Sequence, residues 1–431
     1  MSGDRGGFAA LDSCVHCGFC LQACPTFLAT GDETDGPRGR IALMRALEQG
    51  ELSADDAGLT LHLDRCLGCR ACEPVCPSGV GYGRGLEAAR AVITDRRGVP
   101  LLARLALWAL TTPGVAEIVY GLARALRSTG VPARLAGWGR VGFAMGMLAA
   151  TKQGGQSRAG SGRDGPDSAR LRPSQPALLF RGCIMEGLFR HVHDATIRTL
   201  AVNGYAVREG AGGVCCGALH AHAGLLEEAR ALARANVAAL GGGGDGGDGG
   251  DGGDGGDGGD YPIVVNSAGC GAMLREYGHL LPDEPAAAAL GARVRDVTEL
   301  LAARGPAPGA PLDRRVAYDP PCHLLHAQRV ADAPLAVLAA IPVLQLLTVP
   351  DAEQCCGSAG LFTLVQPAMS RAVLAPKLER LRAAAPQVVA TGNPGCVMQL
   401  GAGLRAAGVR ATVCHPVELL DASYAAAGHY A

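Results

Sequence analysis

The amino-acid sequence predicts a multidomain protein in which a small α-helical domain precedes a duplicated α/β region rich in cysteine. Two cysteine runs of identical spacing lie within the first 77 residues. From Ala177 onward, short apolar runs alternate with longer amphipathic stretches, and the cysteines recur in two sets. With 431 residues, the chain is long enough for two or three domains that each have a core.

The first cysteine run begins at Cys14 and the second at Cys66, and both have the spacing Cys-x2-Cys-x2-Cys-x3-Cys-Pro. This is the run of bacterial ferredoxins, in which three thiolates hold one 4Fe-4S cube and the fourth reaches the other cube. The sequence therefore predicts an N-terminal helical ferredoxin domain with two 4Fe-4S clusters. The expected ligands are Cys14, Cys17, Cys20 and Cys76 (the cluster-1 cysteines) and Cys66, Cys69, Cys72 and Cys24 (the cluster-2 cysteines). Two structural zinc sites, which also use four cysteines, and plain core packing are the alternatives.

The segment between the two runs is longer than a minimal ferredoxin needs, because 41 residues separate Cys24 from Cys66. Apolar residues at helical intervals in 41–47 predict a helix there. Arg38, Arg40 and Arg70 would bring positive charge close to anionic clusters and raise their reduction potential. Alternatively, these arginines are solvated or pair with nearby carboxylates.

Charge and cysteine usage restrict the function and the compartment. A net charge of -1 argues against a general polyanion binder. The first ten residues carry no apolar leader, and the 17 cysteines are grouped in motifs, so a reducing compartment is expected. We expect a cytoplasmic protein without a transmembrane helix, which could also bind peripherally to the cytoplasmic face of the inner membrane.

Residues 99–150 are the most apolar part of the chain, but five arginines and Glu117 interrupt them, so no uncharged run reaches the length of about 18 residues needed to span a membrane. The segment contains both tryptophans, Trp108 and Trp138, and has apolar residues at helical spacing. Three interpretations stay open: a helix on a membrane surface, a helix packed on a partner subunit, and a helical connector that closes the core.

The predicted domain limits follow from these changes in composition. Residues 151–176 are rich in Gly, Ser, Asp and Pro and predict a flexible linker. Within the first α/β domain, residues 241–260 repeat Gly-Gly-Asp and predict a flexible, anionic surface insertion. The expected units are 1–97 (helical ferredoxin domain), 98–150 (helical connector), 151–176 (linker), 177–305 (first α/β domain) and 306–431 (second α/β domain).

Short apolar runs that alternate with amphipathic stretches predict parallel strands joined by helices. The expected strands are 177–180, 262–265, 316–318, 343–347 and 387–390.

The region repeats internally. In the first half, 31 residues separate Cys183 from a Cys-Cys-Gly element, and in the second half 32 residues separate Cys322 from another. Each half thus holds four cysteines, which could bind a further Fe-S cluster or zinc, or pack as core residues. The first cysteine-rich set is Cys183, Cys215, Cys216 and Cys270, and the second is Cys322, Cys355, Cys356 and Cys396. His323 is the best candidate for a proton carrier beside a cluster, and Cys414 has no counterpart in the first half.

The combination of two ferredoxin runs with two Cys-Cys-Gly domains resembles the iron-sulfur subunit of glycolate oxidase, a glycolate dehydrogenase. The resemblance covers nearly the whole chain and depends on these motifs: Cys14-Val15-His16-Cys17-Gly18-Phe19-Cys20, Pro37-Arg38-Gly39-Arg40-Ile41, Asp319-Pro320-Pro321-Cys322-His323-Leu324, Cys355-Cys356-Gly357-Ser358-Ala359-Gly360 and His415-Pro416-Val417-Glu418-Leu419.

The resemblance implies an electron-transfer subunit without a catalytic site of its own. FAD and the glycolate site would lie on two flavin-type partner subunits, which oxidise glycolate to glyoxylate, and this chain would pass the electrons toward the membrane quinone pool. In agreement, the sequence has no nucleotide-binding glycine motif and no P-loop lysine.

Other functions stay open. The same electron-transfer chain could serve another 2-hydroxy acid, such as lactate, or glycerol 3-phosphate. The Cys-Cys-Gly domains also resemble those of heterodisulfide reductase subunits, but the final Cys-x-x-Cys of that pattern is reduced here to one cysteine, Cys270 or Cys396. A cluster-dependent sensor or scaffold is a third class, with no nucleic-acid-binding motif to support it.

Overall fold

A computed structural model describes residues 5–151, 175–209, 214–241 and 261–430. The predicted linker therefore lies outside the described residues apart from its ends, and so does the Gly-Gly-Asp tract apart from Gly241. Within the described ranges the chain combines helices with two parallel sheets, which confirms the predicted mixture of helical and α/β regions.

The N-terminal region is helical around the cysteine loops. Helix α2 begins at Pro37, where the missing N–H costs nothing and the fixed φ suits a first turn. It buries Ile41, Met44 and Leu47 on one face, which the helical spacing predicted. The helices are α1 (Pro25–Thr30), α2 (Pro37–Glu48), α3 (Ala57–Asp64) and α4 (Tyr82–Arg97), with 3-10 turns at Gly6–Leu11, Phe19–Leu21 and Glu33–Asp35.

Four helices connect this region to the sheets: α5 (Leu101–Thr111), α6 (Val115–Ser128), α7 (Val131–Leu135) and α8 (Arg140–Ala150). Helix α8 packs closely on a helix of the second sheet, because a Cβ at Gly146 would lie 3.1 Å from Ala402. By contrast, α5 and α6 leave large apolar side chains exposed, among them Leu101, Trp108 and Ile118. The connector thus packs on the second sheet through α8 and leaves an apolar surface exposed on α5 and α6.

The first α/β unit has four parallel strands in the order β2-β1-β3-β4. Two of these four strands, β2 and β4, were not expected, since the sequence indicated only 177–180 and 262–265 in this half. The elements are β1 (Gln175–Leu179), α9 (Ile184–Leu188), α10 (Arg190–Val202), β2 (Tyr205–Glu209), α11 (Ala218–His222), α12 (Leu226–Leu240), β3 (Ile263–Val265), α13 (Ala268–Arg275), α14 (Tyr277–Leu280), α15 (Pro285–Arg293), β4 (Val294–Asp296) and α16 (Val297–Arg304).

The second unit has the corresponding strand order, β6-β5-β7-β8, again with parallel pairs only. In both units a capping box opens the last helix, with Asp296 and His415 as the N-cap residues. The elements are β5 (Arg315–Tyr318), a π-helical turn (His323–Ala327), α17 (Asp332–Ala339), β6 (Gln345–Leu347), α18 (Phe362–Val365), α19 (Pro367–Ala384), β7 (Val388–Ala390), α20 (Pro394–Ala406), β8 (Thr412–Cys414) and α21 (Pro416–Ala426).

The two units share one hydrophobic core. Val264 of β3 and Val389 of β7 are fully buried in the same cluster of apolar side chains. Across this junction Arg198 binds Asp421 through two hydrogen bonds of 2.9 and 2.7 Å. The two sheets are therefore packed against each other rather than separated by a linker.

Candidate metal centres

The cluster-1 cysteines converge on one hollow of the N-terminal region. Its lining includes all four of them together with Cys72, as well as Phe19, Ile41 and Tyr82. Cys14, Cys20 and Cys76 are partly buried, whereas Cys17 is exposed. The structure thus brings Cys76 of the second run to the three leading cysteines of the first.

The cluster-2 cysteines converge on a second hollow, which Cys24, Cys66, Cys69 and Cys72 line. All four are buried. Here Cys24 of the first run joins the three leading cysteines of the second, so the two runs exchange their fourth cysteines as the ferredoxin spacing predicts.

The two loops have the same backbone pattern, which explains how each can wrap around a compact group. Residues in the left-handed region flank the second cysteine of each run: His16 (φ 54°) and Gly18 (φ 86°) around Cys17, and Gly68 (φ 62°) and Arg70 (φ 60°) around Cys69. Such a conformation is strained for a residue other than glycine and persists only where the surroundings impose it. The two loops therefore have the same backbone bend around the second cysteine of each run.

The spacing of the sulfur atoms distinguishes between the two kinds of metal centre. In a tetrahedral zinc site with Zn–S bonds of about 2.3 Å, the sulfur atoms lie about 3.8 Å apart. Within the described ranges, no three cysteine sulfurs all lie within 4.8 Å of one another. None of the 17 cysteines is in a disulfide. The thiols of the eight ferredoxin cysteines are thus free, and no three of them are as close together as in a tetrahedral zinc site, which suits a larger group.

Arg40 is the charged residue most directly in contact with these sulfurs. Its side chain is completely buried, and Nη1 lies 3.9 Å from Cys24 Sγ and 2.9 Å from Thr26 Oγ1. Nη2 is buried without a hydrogen-bond acceptor, although it lies 3.5 Å from Asp35. An unsatisfied guanidinium N–H beside a thiolate set fits an anionic acceptor, such as the sulfide of a cluster.

The other two arginines with a possible tuning role pair with carboxylates. Arg38 lies 2.5 Å from Glu33. Arg70 binds Glu73 at 2.8 Å and Glu276 of α14's N-terminal end at 3.0 Å, so it links the cysteine loop to the first α/β unit. Their charges are therefore largely compensated, and Arg40 is the one in direct contact with a cluster-2 cysteine.

The first cysteine-rich set gathers at the carboxyl ends of the strands of the first sheet. Cys183 Sγ lies 3.6 Å from Cys215 Sγ, and the neighbouring Cys215 and Cys270 thiols raise the pKa of Cys216 well above its usual value. Cys183 follows β1 and Cys270 follows β3, which flank the position where the strand order reverses. Open α/β sheets bind their ligands at this position.

The second cysteine-rich set has the same arrangement in the second sheet. The Sγ atoms of Cys322 and Cys355 are 3.9 Å apart, and those of Cys356 and Cys396 are 3.4 Å apart. The N–H of Gly357 points at Cys355 Sγ from 3.4 Å. Gly357 has a φ of 81°, and a Cβ there would lie 2.5 Å from the Ser370 carbonyl oxygen, so only glycine fits.

Cys69 connects the ferredoxin region to the second cysteine-rich set. It belongs to one buried apolar cluster with Cys322, Cys355, Phe362 and Met369. Burial, and after it the nearby Cys355 sulfur, raises the pKa of the Cys69 thiol well above its usual value. Sequence reasoning missed this contact, because nothing in the two motifs indicates that they meet.

Two histidines lie at the junction of the three regions. The rings of His222 and His323 are 5.3 Å apart, and His222 lies against Gly68 of the cluster-2 loop. Burial lowers the pKa of His222 to about 3 and that of His323 to about 4. His323 Nδ1 is 3.5 Å from Cys322 Sγ, so the candidate proton carrier does lie beside its cysteine set.

Comparison with known proteins finds two family models along the chain. A family model described as "4Fe-4S dicluster domain" matches residues 10–80, and one described as "Cysteine-rich domain" matches residues 177–275 and 316–401. The probable glycolate oxidase iron-sulfur subunit of Bacillus subtilis is 32% identical over 97% of this chain and 94% of its own length. The glycolate oxidase iron-sulfur subunit of Escherichia coli is 31% identical over 95% and 93%.

The chain belongs to the glycolate oxidase iron-sulfur subunit family. A more distant relative, lactate utilization protein A of Geobacillus kaustophilus, is 27% identical over 57% of this chain and 98% of its own length. The predicted resemblance is thereby confirmed.

In this member of the glycolate oxidase iron-sulfur subunit family, the connector helices also reach a cysteine set. Tyr120 of α6 is 5% exposed, and burial together with the nearby Cys183 and Cys215 raises its pKa. Tyr120 donates a hydrogen bond to the Leu110 carbonyl oxygen at 3.1 Å. No sequence pattern indicated that Tyr120 lies near this cysteine set, because a buried tyrosine on an amphipathic helix is usually a core residue.

The length and hydropathy of the described helices also bear on the connector. None of them alone is long and apolar enough to cross a membrane. The pair α5 and α6 passes that test only together, and the two helices are bent by 92° relative to each other.

Cys414 stays apart from both sets. It ends β8, is 7% exposed and belongs to the shared core. Burial raises the pKa of its thiol well above the usual value. These surroundings are those of a buried core cysteine.

Proposed function

We propose that this chain is the electron-transfer subunit of a complex that oxidises glycolate to glyoxylate. The observation that carries the proposal is the convergence of the eight ferredoxin cysteines on two adjoining hollows, in a chain that belongs to the glycolate oxidase iron-sulfur subunit family. Electrons from flavin on two partner subunits would enter at these centres and leave toward a membrane quinone. The chain itself would perform no chemistry on the hydroxy acid.

Two 4Fe-4S clusters are proposed at these hollows. Cluster 1 would be held by Cys14, Cys17, Cys20 and Cys76, and cluster 2 by Cys66, Cys69, Cys72 and Cys24. The exchanged fourth cysteines and the wide sulfur spacing support this assignment over zinc. Each cluster would supply a one-electron redox centre. The contribution of this chain is to keep the thiolates in place, bury the cluster-2 sulfurs and place the Arg40 charge beside them.

The cysteine-rich sets are proposed to hold a further Fe-S cluster each, with zinc as the alternative. The four cysteines of each set lie at the switch point of a parallel sheet, and the second set packs against Cys69. Electrons could therefore pass between the cluster-2 cysteines and the second set without crossing solvent. The lone cysteine of each final element argues against the chemistry of heterodisulfide reductase.

The two α/β units are proposed to be copies of one ancestral unit. The equal strand orders, the position of each cysteine set and the capping boxes before the last helices support this duplication. The corresponding domains are those expected from the sequence, 177–305 and 306–431, preceded by the ferredoxin domain 1–97, the connector 98–150 and the linker 151–176. We further propose a cytoplasmic location at the inner face of the membrane.

Metal analysis and spectroscopy on the purified complex test the proposal. Two cubes predict about eight iron and eight sulfide ions per chain, and more than this if the cysteine-rich sets are filled. Adding glycolate without an acceptor should first reduce the flavin and then produce electron paramagnetic resonance signals of reduced clusters. Lactate and glycerol 3-phosphate serve as controls for the substrate. Zinc in place of iron, or reduced flavin with clusters that stay oxidised, would contradict the proposal.

A further inference from the structure

A cavity of about 490 Å³ lies where the ferredoxin region, the connector and both α/β units meet. Residues 359–366 of the second unit, the turn after α11 and the ends of α4 and α5 form its walls. Its volume falls within the range of about 300–1,000 Å³ that is typical of sites for small organic molecules. The eight ferredoxin cysteines do not account for it, because only Cys66 among them reaches this cavity.

We propose that this cavity binds the ring of a lipid-soluble quinone and is the place where electrons leave the chain. The inference deepens the proposed function and depends on it, since it assigns a site to the quinone acceptor. Three independent features of the described residues carry it: contact with a cluster-2 cysteine, the chemistry of the walls and the surface at which the cavity opens.

The first feature is the position of the cavity beside the redox centre. Cys66 and Leu67 of the cluster-2 loop form part of its wall. Both are buried, so the sulfur of Cys66 and a ring bound in the cavity would be separated by side chains and not by bulk water. The cavity therefore touches the more deeply buried of the two ferredoxin hollows.

The second feature is a wall that carries both apolar and polar side chains, the latter including Asp64, Thr94 and His222. Ile93, Ala103 and Phe362 are buried and line the cavity, which suits the faces of an aromatic ring. Arg97, Arg140 and Gln366 also line it and can donate hydrogen bonds to the two carbonyl oxygens of a quinone. Arg90 is already engaged, because it donates to the carbonyl oxygens of His222, Leu63 and Cys66.

The third feature is the exposed surface around the cavity. Leu102 is 50% exposed and Leu364 and Val365 are each 37% exposed, yet all three line the cavity, so it opens to the outside between apolar side chains. Of the 22 large hydrophobic side chains that are exposed in the described ranges, eleven lie between residues 101 and 141. Their number on one segment marks an interaction surface.

The positive charge of the same segment indicates what kind of partner binds this surface. Residues 101–151 contain five arginines and one glutamate, which gives a charge of +4 in a chain whose net charge is -1. Arg124 and Arg127 donate to the carbonyl oxygens of Gly187 and Leu188, and the other three arginines, Arg104, Arg134 and Arg140, are exposed. Apolar side chains together with arginines are typical of helices that lie on anionic lipid. A cavity that opens at such a surface is accessible to a quinone dissolved in the bilayer.

The reaction at this site balances as follows. The quinone takes up two electrons, which arrive one at a time through the cluster-2 cysteines, and two protons from water at the open side, and becomes a quinol. The electrons are those that the oxidation of the hydroxy acid to its 2-oxo acid releases on the partner subunit.

The test uses the purified complex with its partner subunits and two phenylalanine substitutions on α5. Ala103 lines the cavity and is 4% exposed, so Ala103→Phe should fill the space. Ala106→Phe, on the same helix but not among the residues that line the cavity, is the matched control. A short-chain azidoquinone, activated by light, should label peptides around 97–103 and 359–366, and an excess of the unmodified quinone should suppress the labelling.

We expect Ala103→Phe to abolish this labelling and to raise the KM for the short-chain quinone about tenfold or more, a factor worth about 1.4 kcal/mol. Reduction of a water-soluble dye by glycolate and the iron content should not change. Equal labelling and equal KM in both variants, or labels elsewhere on the complex, would overturn the inference. A wild-type complex that reduces the dye but no quinone would instead refute the quinone acceptor of the proposed function. If Ala103→Phe fails to assemble, the labelled peptides of the wild-type complex decide the question.

Discussion

Replacing the buried Arg40 tests whether this side chain sets the reduction potential of the cluster proposed for the cluster-2 cysteines. At the Nη1–Sγ distance of 3.9 Å from Cys24, a unit charge contributes about 4 kcal/mol at an effective dielectric constant of about 20. The electron added on reduction is spread over the whole centre, which lies farther from Arg40 than the Cys24 sulfur does. We therefore expect the loss of this charge to change the energy of reduction by less than this value. Arg40→Met should lower the midpoint potential of this centre by on the order of 100 mV, because a nearby positive charge stabilises the reduced form.

A redox titration of the complex, followed by electron paramagnetic resonance, measures both ferredoxin centres separately. Arg40→Lys keeps the charge and should restore most of the potential. Arg38→Gln removes the same charge from a half-buried side chain that pairs with Glu33, and it should leave the cluster-2 potential nearly unchanged. In Arg40→Met, Asp35 keeps Arg65 at 2.9 Å and His62 at 2.8 Å, so the variant should still fold. Unchanged potentials in Arg40→Met at full iron content, or equal shifts in Arg40→Lys, would refute the reasoning.

Three further predictions concern the redox path, the insertion and the pH dependence of stability. Cys20→Ser and Cys72→Ser should each bleach part of the iron absorbance and stop glycolate-dependent dye and quinone reduction, while glycolate still reduces the flavin; normal electron transfer in either variant would exclude the proposed path. Deleting 241–260 should leave the turnover rate intact, and a loss of folding would show that the tract is structural. Burial lowers the pKa of His415 in the folded protein to about 3, below the ordinary 6.5 of the unfolded chain. As the pH falls below 6.5, only the unfolded chain takes up the proton, so the free energy of unfolding decreases. His415→Asn keeps an N-cap acceptor and should flatten the fall of the melting temperature between pH 6.5 and 5, and an unchanged slope would contradict this.

The cysteine spacing allowed the meeting of Cys76 with the first run and of Cys24 with the second to be predicted, because a repeated four-cysteine run restricts which cysteines lie together. Long apolar or amphipathic segments such as 41–47 were also predictable, since a helix buries one face at regular intervals. The expected strands 316–318 and 387–390 were also predictable. They lie in the middle of a sheet, and a central parallel strand is buried on both faces, so it forms a continuous apolar run.

Other elements gave no comparable signal. The strands Tyr205–Glu209 and Val294–Asp296 were missed because they lie at the edges of the first sheet and carry polar or charged residues. The contact of Cys69 with Cys355 joins positions far apart in the chain, and periodicity reports only on neighbours. The cavity beside Cys66 forms only where the ferredoxin region, the connector and the α/β units meet, so the sequence of no single segment predicts it.

Because the two sheets share one core, the first α/β unit cannot finish folding before the second has been synthesised. Val264 and Val389 pack in one cluster, so the first unit has part of its apolar surface uncovered until the second has been synthesised. Because domains fold from the N-terminus as they leave the ribosome, this surface and the one beside Cys69 remain open until Cys355 and the following helices have emerged. Iron could be inserted into the ferredoxin loops during this interval, and closure of the core would then seal the cluster-2 centre. A chain truncated after the first unit should accordingly be prone to aggregation and to loss of iron.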